Sequence, residues 1–425
     1  MGKRCGLLWG ISIMAFLLLT GCGDGAQNEV HDELAGGKDI KAVTLESADS
    51  GAGIPGEDGK DGQDEGTDAE RIAEICRDIY AQAARDGTLG SIETIGRMVA
   101  SFGENGYVAA SGDNQVDMAG AEQVLEFVRA VEEKESRRLT IVAVMGMGLR
   151  IFDLETQNGD VSVVRSYYQY DREGILQERS TVSYPADFWE YTPEGYLIFA
   201  GKSLLPETFV MTFSATAEHT ALRVLPLEEG CRELNRKYLL PVGYERNNMF
   251  LCSWSGEEYG DLDFYDAFDR FYPILRGRPH PYGAEGSPGE ESAYWIPEEE
   301  FESVITAFFD IDPETLRRKT EYSPEQAAYK YRPRGFHEAE YPDVPYPEVV
   351  GCRENGDGTI TLTVNAVYPH DDTSRAFTHE TVIRPLDGER FQYVSNRMLS
   401  EEGEYDPWWH SDRSPEEAGA LTAEE

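Results

Sequence analysis

The sequence predicts an α+β protein of two tandem domains, each with helices first and an antiparallel β-meander after them. Three observations lead there. Apolar residues recur at helical spacing between Ala69 and Lys134, then alternate from Leu139 to Ala200. The same order returns after Leu227. The links between strands are short, and a parallel crossover would need a dozen residues or more. With 425 residues, 40% of them hydrophobic, the chain has length for two domains and apolar material for two cores. The expected segments are a leader (1–21), a tether (22–68), domains at 69–220 and 221–399, and an acidic tail (400–425).

The N-terminal region reads as an export signal. Lys3 and Arg4 precede an apolar run from Gly6 to Leu19. A helix that crosses a bilayer needs roughly 20 apolar residues, so this run has the length of a signal core instead. It ends at Leu19-Thr20-Gly21-Cys22, which resembles the lipobox of bacterial lipoproteins. The resemblance implies that the Cys22 thiol takes a diacylglyceryl group and that cleavage makes Cys22 the first residue. The mature chain would then be lipid-anchored on the extracytoplasmic face of the cell membrane. Two acyl chains suffice for stable anchoring.

From Gly23 to Asp68 the chain is rich in Gly, Asp, Glu and Ala and too poor in large apolar residues to fold, so it reads as an acidic spacer. Gly53, Gly56, Gly59 and Gly62 keep a period of three, but the register fails at Glu65, which leaves a linker rather than a triple helix.

In the first domain, helices are expected at Ala69 to Ala84, Ile92 to Phe102 and Ala119 to Lys134. Strands follow at Leu139 to Val144, Leu149 to Leu154, Val161 to Tyr170, Ile175 to Val182, Tyr196 to Ala200 and Phe209 to Phe213. This layout resembles the cone-shaped NTF2-like folds, in element order only. Such a curved sheet can hold a ligand on its concave face. Tyr167, Tyr168, Tyr170, Phe188, Trp189 and Tyr191 are the candidate linings, although aromatics are also favoured in strands for packing alone.

In the second domain, Leu227 to Tyr238 reads as helical. "DLDFYDAFDRFYPIL" places Phe264, Tyr265, Phe268, Phe271, Tyr272 and Leu275 on one helical face. Asp261, Asp263, Asp266 and Asp269 read as its solvated side, with Asp266 and Arg270 an i,i+4 pair. Pro297 to Phe309 is another amphipathic helix, and Asp312-Pro313 is a cap followed by Pro at the first helical position. Strands at Val349 to Glu354, Ile360 to Ala366, Phe377 to Arg384 and Arg390 to Val394 complete a meander, with Asn355 to Gly358 as a hairpin turn. The stretch from Ile296 to Leu399, with "IPEEEFESVITAFFDIDPETLR" and "FTHETVIRPLDGERFQYVSN", resembles uncharacterised lipoprotein domains of Gram-positive anaerobes. That resemblance implies a surface location and no particular chemistry.

The charge balance excludes some partners. Lys and Arg number 38 against 79 Asp and Glu, a net charge of −41, which argues against nucleic acid and anionic lipid headgroups. No HExxH, CxxC, GxSxG or Walker pattern is present, and no catalytic residue, metal or cofactor is assigned. The densest metal-ligand types are His370, Asp371, Asp372, His379 and Glu380, but His379 and Glu380 would face opposite sides of one strand. Once Cys22 is lipidated and Cys5 is discarded, Cys76, Cys231, Cys252 and Cys352 remain. An exported compartment permits disulfides, and Cys231–Cys252 is the expected pairing. Trp408 and Trp409 in "YDPWWHSDRSPEE" would stack on a sugar or partner, or dock the terminus. The leading expectation is a non-catalytic binding module for a small molecule, glycan or protein. The alternatives are a carboxylate-based hydrolase of glycan or cell-wall substrates and a structural protein of the envelope.

Overall fold

The helical spacing of the first region yields α1 (Asp68–Asp86), α2 (Ile92–Glu104) and α3 (Ala121–Glu133). Ser91 caps α2 by accepting a hydrogen bond from the Thr94 amide. In the computed structural model the described residues are 68–171, 175–204, 214–228, 230–283, 293–334, 343–400 and 405–413. The leader, Cys22, the tether and the strand expected at Phe209 to Phe213 lie outside them.

Seven strands form one sheet in chain order, the first between α2 and α3 and the rest after α3: β1 (Val108–Ser111), β2 (Arg137–Met145), β3 (Gly148–Gln157), β4 (Asp160–Tyr170), β5 (Leu176–Tyr191), β6 (Tyr196–Ser203) and β7 (Thr216–Arg223). Only β1 runs parallel to its neighbour, and the other pairs are antiparallel. β5 is long enough to pair with β4 through its first half and β6 through its second, which curls the sheet. One face packs Ile151, Val144 and Leu149 against Cys76, Met98 and Phe102 of α1 and α2. The opposite face packs Phe152, Leu154 and Phe199 against Val124 and Phe127 of α3. At Gly148 a Cβ would collide with the Tyr168 carbonyl oxygen, so only glycine lets β4 pass this close to the start of β3. On the other side of β4, β5 carries one extra residue, Arg179, opposite Tyr167 and Tyr168, which makes a bulge.

The second lobe opens with α4 (Cys231–Leu234), which runs into a π-turn over Asn235–Leu239. Three more helices follow: α5 (Phe264–Arg276), α6 (Glu298–Phe308) and α7 (Pro313–Arg318). Asp263 and Asp312 cap α5 and α7 through their side chains. A small sheet joins β9 (Tyr294–Pro297), β10 (Tyr322–Ser323) and β11 (Ala328–Tyr331). The terminal meander is β12 (Tyr346–Glu354), β13 (Ile360–Val367), β14 (Thr378–Pro385) and β15 (Phe391–Met398). The two-residue β8 (Trp254–Ser255) extends its edge beside β15. Phe268, Phe271, Phe301, Phe308, Phe309 and Tyr393 form the centre of an aromatic core. From Ile72 onward the chain forms one compact unit, so the two sheets belong to lobes with a shared interface.

Three expectations need correction here. The acidic row on α5 is not solvated, because Asp266 is buried and held by Arg334 and Arg413. Arg270 reaches the Val242 carbonyl. Asp269 accepts from Arg413 at 2.8 Å and from Tyr331 Oη at 2.8 Å. Residues 405–413, read as the start of an acidic tail, return to this lobe, where Trp409 is buried and donates to Tyr405 Oη at 2.7 Å. The Cys231–Cys252 bridge is not formed: both are free thiols. Cys252 donates to the Asn248 carbonyl, while Cys231, at the start of α4, has the Cys352 thiol of β12 as its neighbour.

Candidate binding cleft

The lobes meet through a buried polar network. Glu348 of β12 accepts from Arg223 Nη1 of β7 at 2.7 Å and from Tyr196 Oη of β6 at 2.6 Å. Their side chains are 7% (Arg223) and 4% (Glu348) exposed, so this ion pair works largely without water. Burial pushes the Glu348 carboxyl above its usual range, against the opposing pull of Arg223 and Tyr196. Asn114, after β1, donates to the Ala221 carbonyl at 2.9 Å and to Tyr346 Oη at 3.0 Å. Its own Oδ1 accepts from the Arg223 amide at 2.9 Å. Ser374 donates to Thr192 Oγ1 and Glu194 Oε2 nearby, and Arg232 of α4 pairs with Asp117.

Beside this network the lobes enclose a cleft with two compartments. One, of about 470 Å³, is lined by Ala143, Met145, Phe152, Leu222 and Leu240 among others and is mostly apolar. The other, of about 570 Å³, has Arg165, Thr216, Glu218, Asp343 and His370 on its walls. Arg150, His219, Thr220, Tyr346 and Pro369 line both. The volumes fall in the range of small-molecule sites, roughly 300–1,000 Å³.

The charged groups in this cleft are unequally served. Arg165 forms a two-pronged pair with Glu218, Nε to Oε2 at 3.0 Å and Nη2 to Oε1 at 2.9 Å. Glu218 Oε1 also accepts from Ser203 at 2.9 Å. His219 Nδ1 lies 2.9 Å from Asp372 Oδ1, and its ring centroid is 4.8 Å from that of His370. Arg150 has no such partner: its Nε is buried and makes no hydrogen bond. Burial, then the nearby Arg165, holds its guanidinium below its ordinary value against the weaker pull of the Glu218 carboxylate, yet an arginine stays charged at neutral pH.

The aromatic residues singled out from the sequence lie elsewhere. Tyr170 stacks on Tyr80 of α1 with ring centroids 3.7 Å apart, and Tyr168 packs on the same helix-covered face, so neither lines the concave side. Trp189 is wedged between Phe127 and Phe199 under α3. Trp409 is core. Trp408 remains 49% exposed, donates to Asp371 Oδ2 at 3.1 Å and lies 5.9 Å from the His370 ring, outside the cleft lining. The His-Asp cluster splits as strand alternation requires. His379 is buried against Tyr244 and Asn396, while Glu380 faces outward to Arg397. No group of three or more His, Cys, Asp or Glu positioned for a metal exists among the described residues.

Sequence reasoning missed Arg150, although a signal was present. In "LRIFDLET" Arg150 shares its strand parity with Phe152 and Leu154, so a guanidinium stands on a core-facing row. A further cavity of about 470 Å³, beside α5 in the second lobe, is walled by charged residues. Those charges are engaged with one another: Lys330 with Glu321, Arg318 with Glu314, and Arg413 with Asp263, Asp266 and Asp269.

A family model described as a family of unknown function (DUF6070) matches residues 62–413, which takes in both lobes and the returning segment. The chain belongs to the DUF6070 family. No curated protein and no solved structure matches the chain. The family match covers both walls of the cleft.

Proposed function

We propose that this chain is a lipid-anchored extracytoplasmic binding protein that takes a small molecule between its lobes. The observation that carries the reading is a cleft of small-molecule size whose two walls come from different lobes and which keeps an unpartnered, partly buried cation. The lipobox resemblance at Leu19 to Cys22 supports the anchor. The hydrolase alternative needs two carboxyls converging on one cavity, one of them protonated. Burial raises the pKa of Glu348 and Asp266, but arginine clamps each of them and neither lines the cleft.

Two measurements test this function. Native mass spectrometry of the chain from its own cells should show a bound small molecule, and Leu222→Trp, which fills the apolar compartment, should remove it. Turnover of a glycan by a protein that carries no ligand would overturn the binding reading. For the anchor, labelled fatty acid should be incorporated by the native chain and not by Cys22→Ala.

A further inference from the structure

We propose that the cleft receives a small organic monocarboxylate with an apolar body, its carboxylate on Arg150. This deepens the binding function above and rests on it. Arg150 sits in β3, opposite Ala143 of β2 and Tyr167 of β4. Arg165 lies diagonally across the same face, opposite Phe152. The two guanidiniums therefore compete for the same acids. Arg165 takes Glu218 in a fork, and Ser203 occupies one of that carboxylate's oxygens as well. Arg150 is left with a buried Nε that has no acceptor. A partly buried, unpaired cation is unfavourable in the free protein. In a chain with 79 acidic residues, a partner for it could readily have been supplied from within. A ligand carboxylate would supply the missing acceptor in the planar geometry that suits a guanidinium.

The surroundings define the rest of the ligand. Arg150 borders both compartments, so a carboxylate held there can place its body over Phe152, Leu222 and Leu240. The second compartment carries the carboxylates of Glu218 and Asp343, with Asp372 behind His219. One unpaired positive charge balances a monoanion. A phosphate dianion would bring its second charge against those acids and against a chain of net charge −41.

Calorimetric titration and thermal melting of the whole chain test this with defined probes: 4-phenylbutyrate and octanoate, their neutral amides, and inorganic phosphate. The acids should bind and raise the melting temperature. The amides should bind roughly 10–100-fold more weakly, the usual worth of a charge-assisted pair, and phosphate should do nothing. Arg150→Gln should abolish the acid-over-amide preference and leave the free protein as stable as before or more so. Arg150→Lys should weaken the acids only in part. Equal binding of acid and amide by the native chain, or acid binding that survives Arg150→Gln, would overturn the carboxylate assignment and leave the cleft itself standing. Acid binding unaffected by Leu222→Trp would overturn the cleft reading too. A free Arg150→Gln protein that melts several degrees lower would make Arg150 a structural residue and sink the proposal.

Discussion

Replacing Glu348 by Ala should separate the lobes energetically. Its carboxylate serves Arg223 and Tyr196, both on the first lobe, and the Arg223–Glu348 pair is almost entirely out of water. Removing one partner of such a buried pair leaves the other charge stranded, at a cost of about 3–5 kcal/mol. Arg223 retains the Leu225 carbonyl at 2.8 Å, and Tyr196 Oη retains Tyr346 Oη at 3.5 Å, so relief is partial. Arg223→Met should cost a similar amount. The double variant Arg223→Met/Glu348→Ala should cost less than the sum of the single variants, with a coupling of about 2 kcal/mol or more. Urea denaturation followed by tryptophan fluorescence and circular dichroism measures all three. In Glu348→Ala the two probes should stop coinciding, because the lobes begin to unfold apart. A single-variant loss under about 1 kcal/mol, with one coincident transition, would refute the claim that this network joins the lobes.

Three further outcomes are expected. His379 is fully buried, which depresses its pKa to about 4, against 6.5 when unfolded. Its contribution is present above pH 6.5 and lost as pH falls through 4, about 3 kcal/mol in all, and His379→Gln should show a shallower decline in urea titrations between those values. Oxidised glutathione should join Cys231 to Cys352: each thiol gives up its hydrogen, glutathione disulfide is reduced to two thiols, and peptide mapping should find Cys76 and Cys252 unmodified. The exposed Cys352 is the accessible attacker, since burial and the neighbouring Cys352 thiol push Cys231 up to about 11; a Cys231–Cys252 link would contradict this geometry. Arg413→Ala should destabilise the second lobe by about 3 kcal/mol, because it strips one of two arginines from a buried carboxylate, and circular dichroism melts would show no change if Arg413 were merely a surface residue.

Much of the fold was legible because local rules suffice for it. The periodicity located α2, α3, α5 and α6, the Asp312 cap fixed the start of α7, and Asn355 to Gly358 fixed a hairpin. β1 was missed because all four of its residues are buried, which removes the alternation that marks a half-exposed strand. The extent of β5 was missed because Pro185 and the register shift after Ala186 break the pattern within it. The Asp266 site was illegible for another reason. Its cations come from 68 and 147 residues further on, and no local window contains them. The cleft is a product of the same long-range pairing, since its walls are distant segments that periodicity cannot bring together.

The return of residues 405–413 also orders events in time. Asp266 gains its second arginine only from Arg413, the last described residue and the last in the family match. A chain made from its N-terminus can close the first lobe while the second is still emerging. The second lobe must wait, with an acid held for a cation not yet synthesised. The cleft needs both lobes, so its walls are complete only after the second lobe has closed. A product cut short before Trp409 would present a folded first lobe beside a second lobe whose buried Asp266 lacks one of its two arginines and whose core lacks the Trp409 ring.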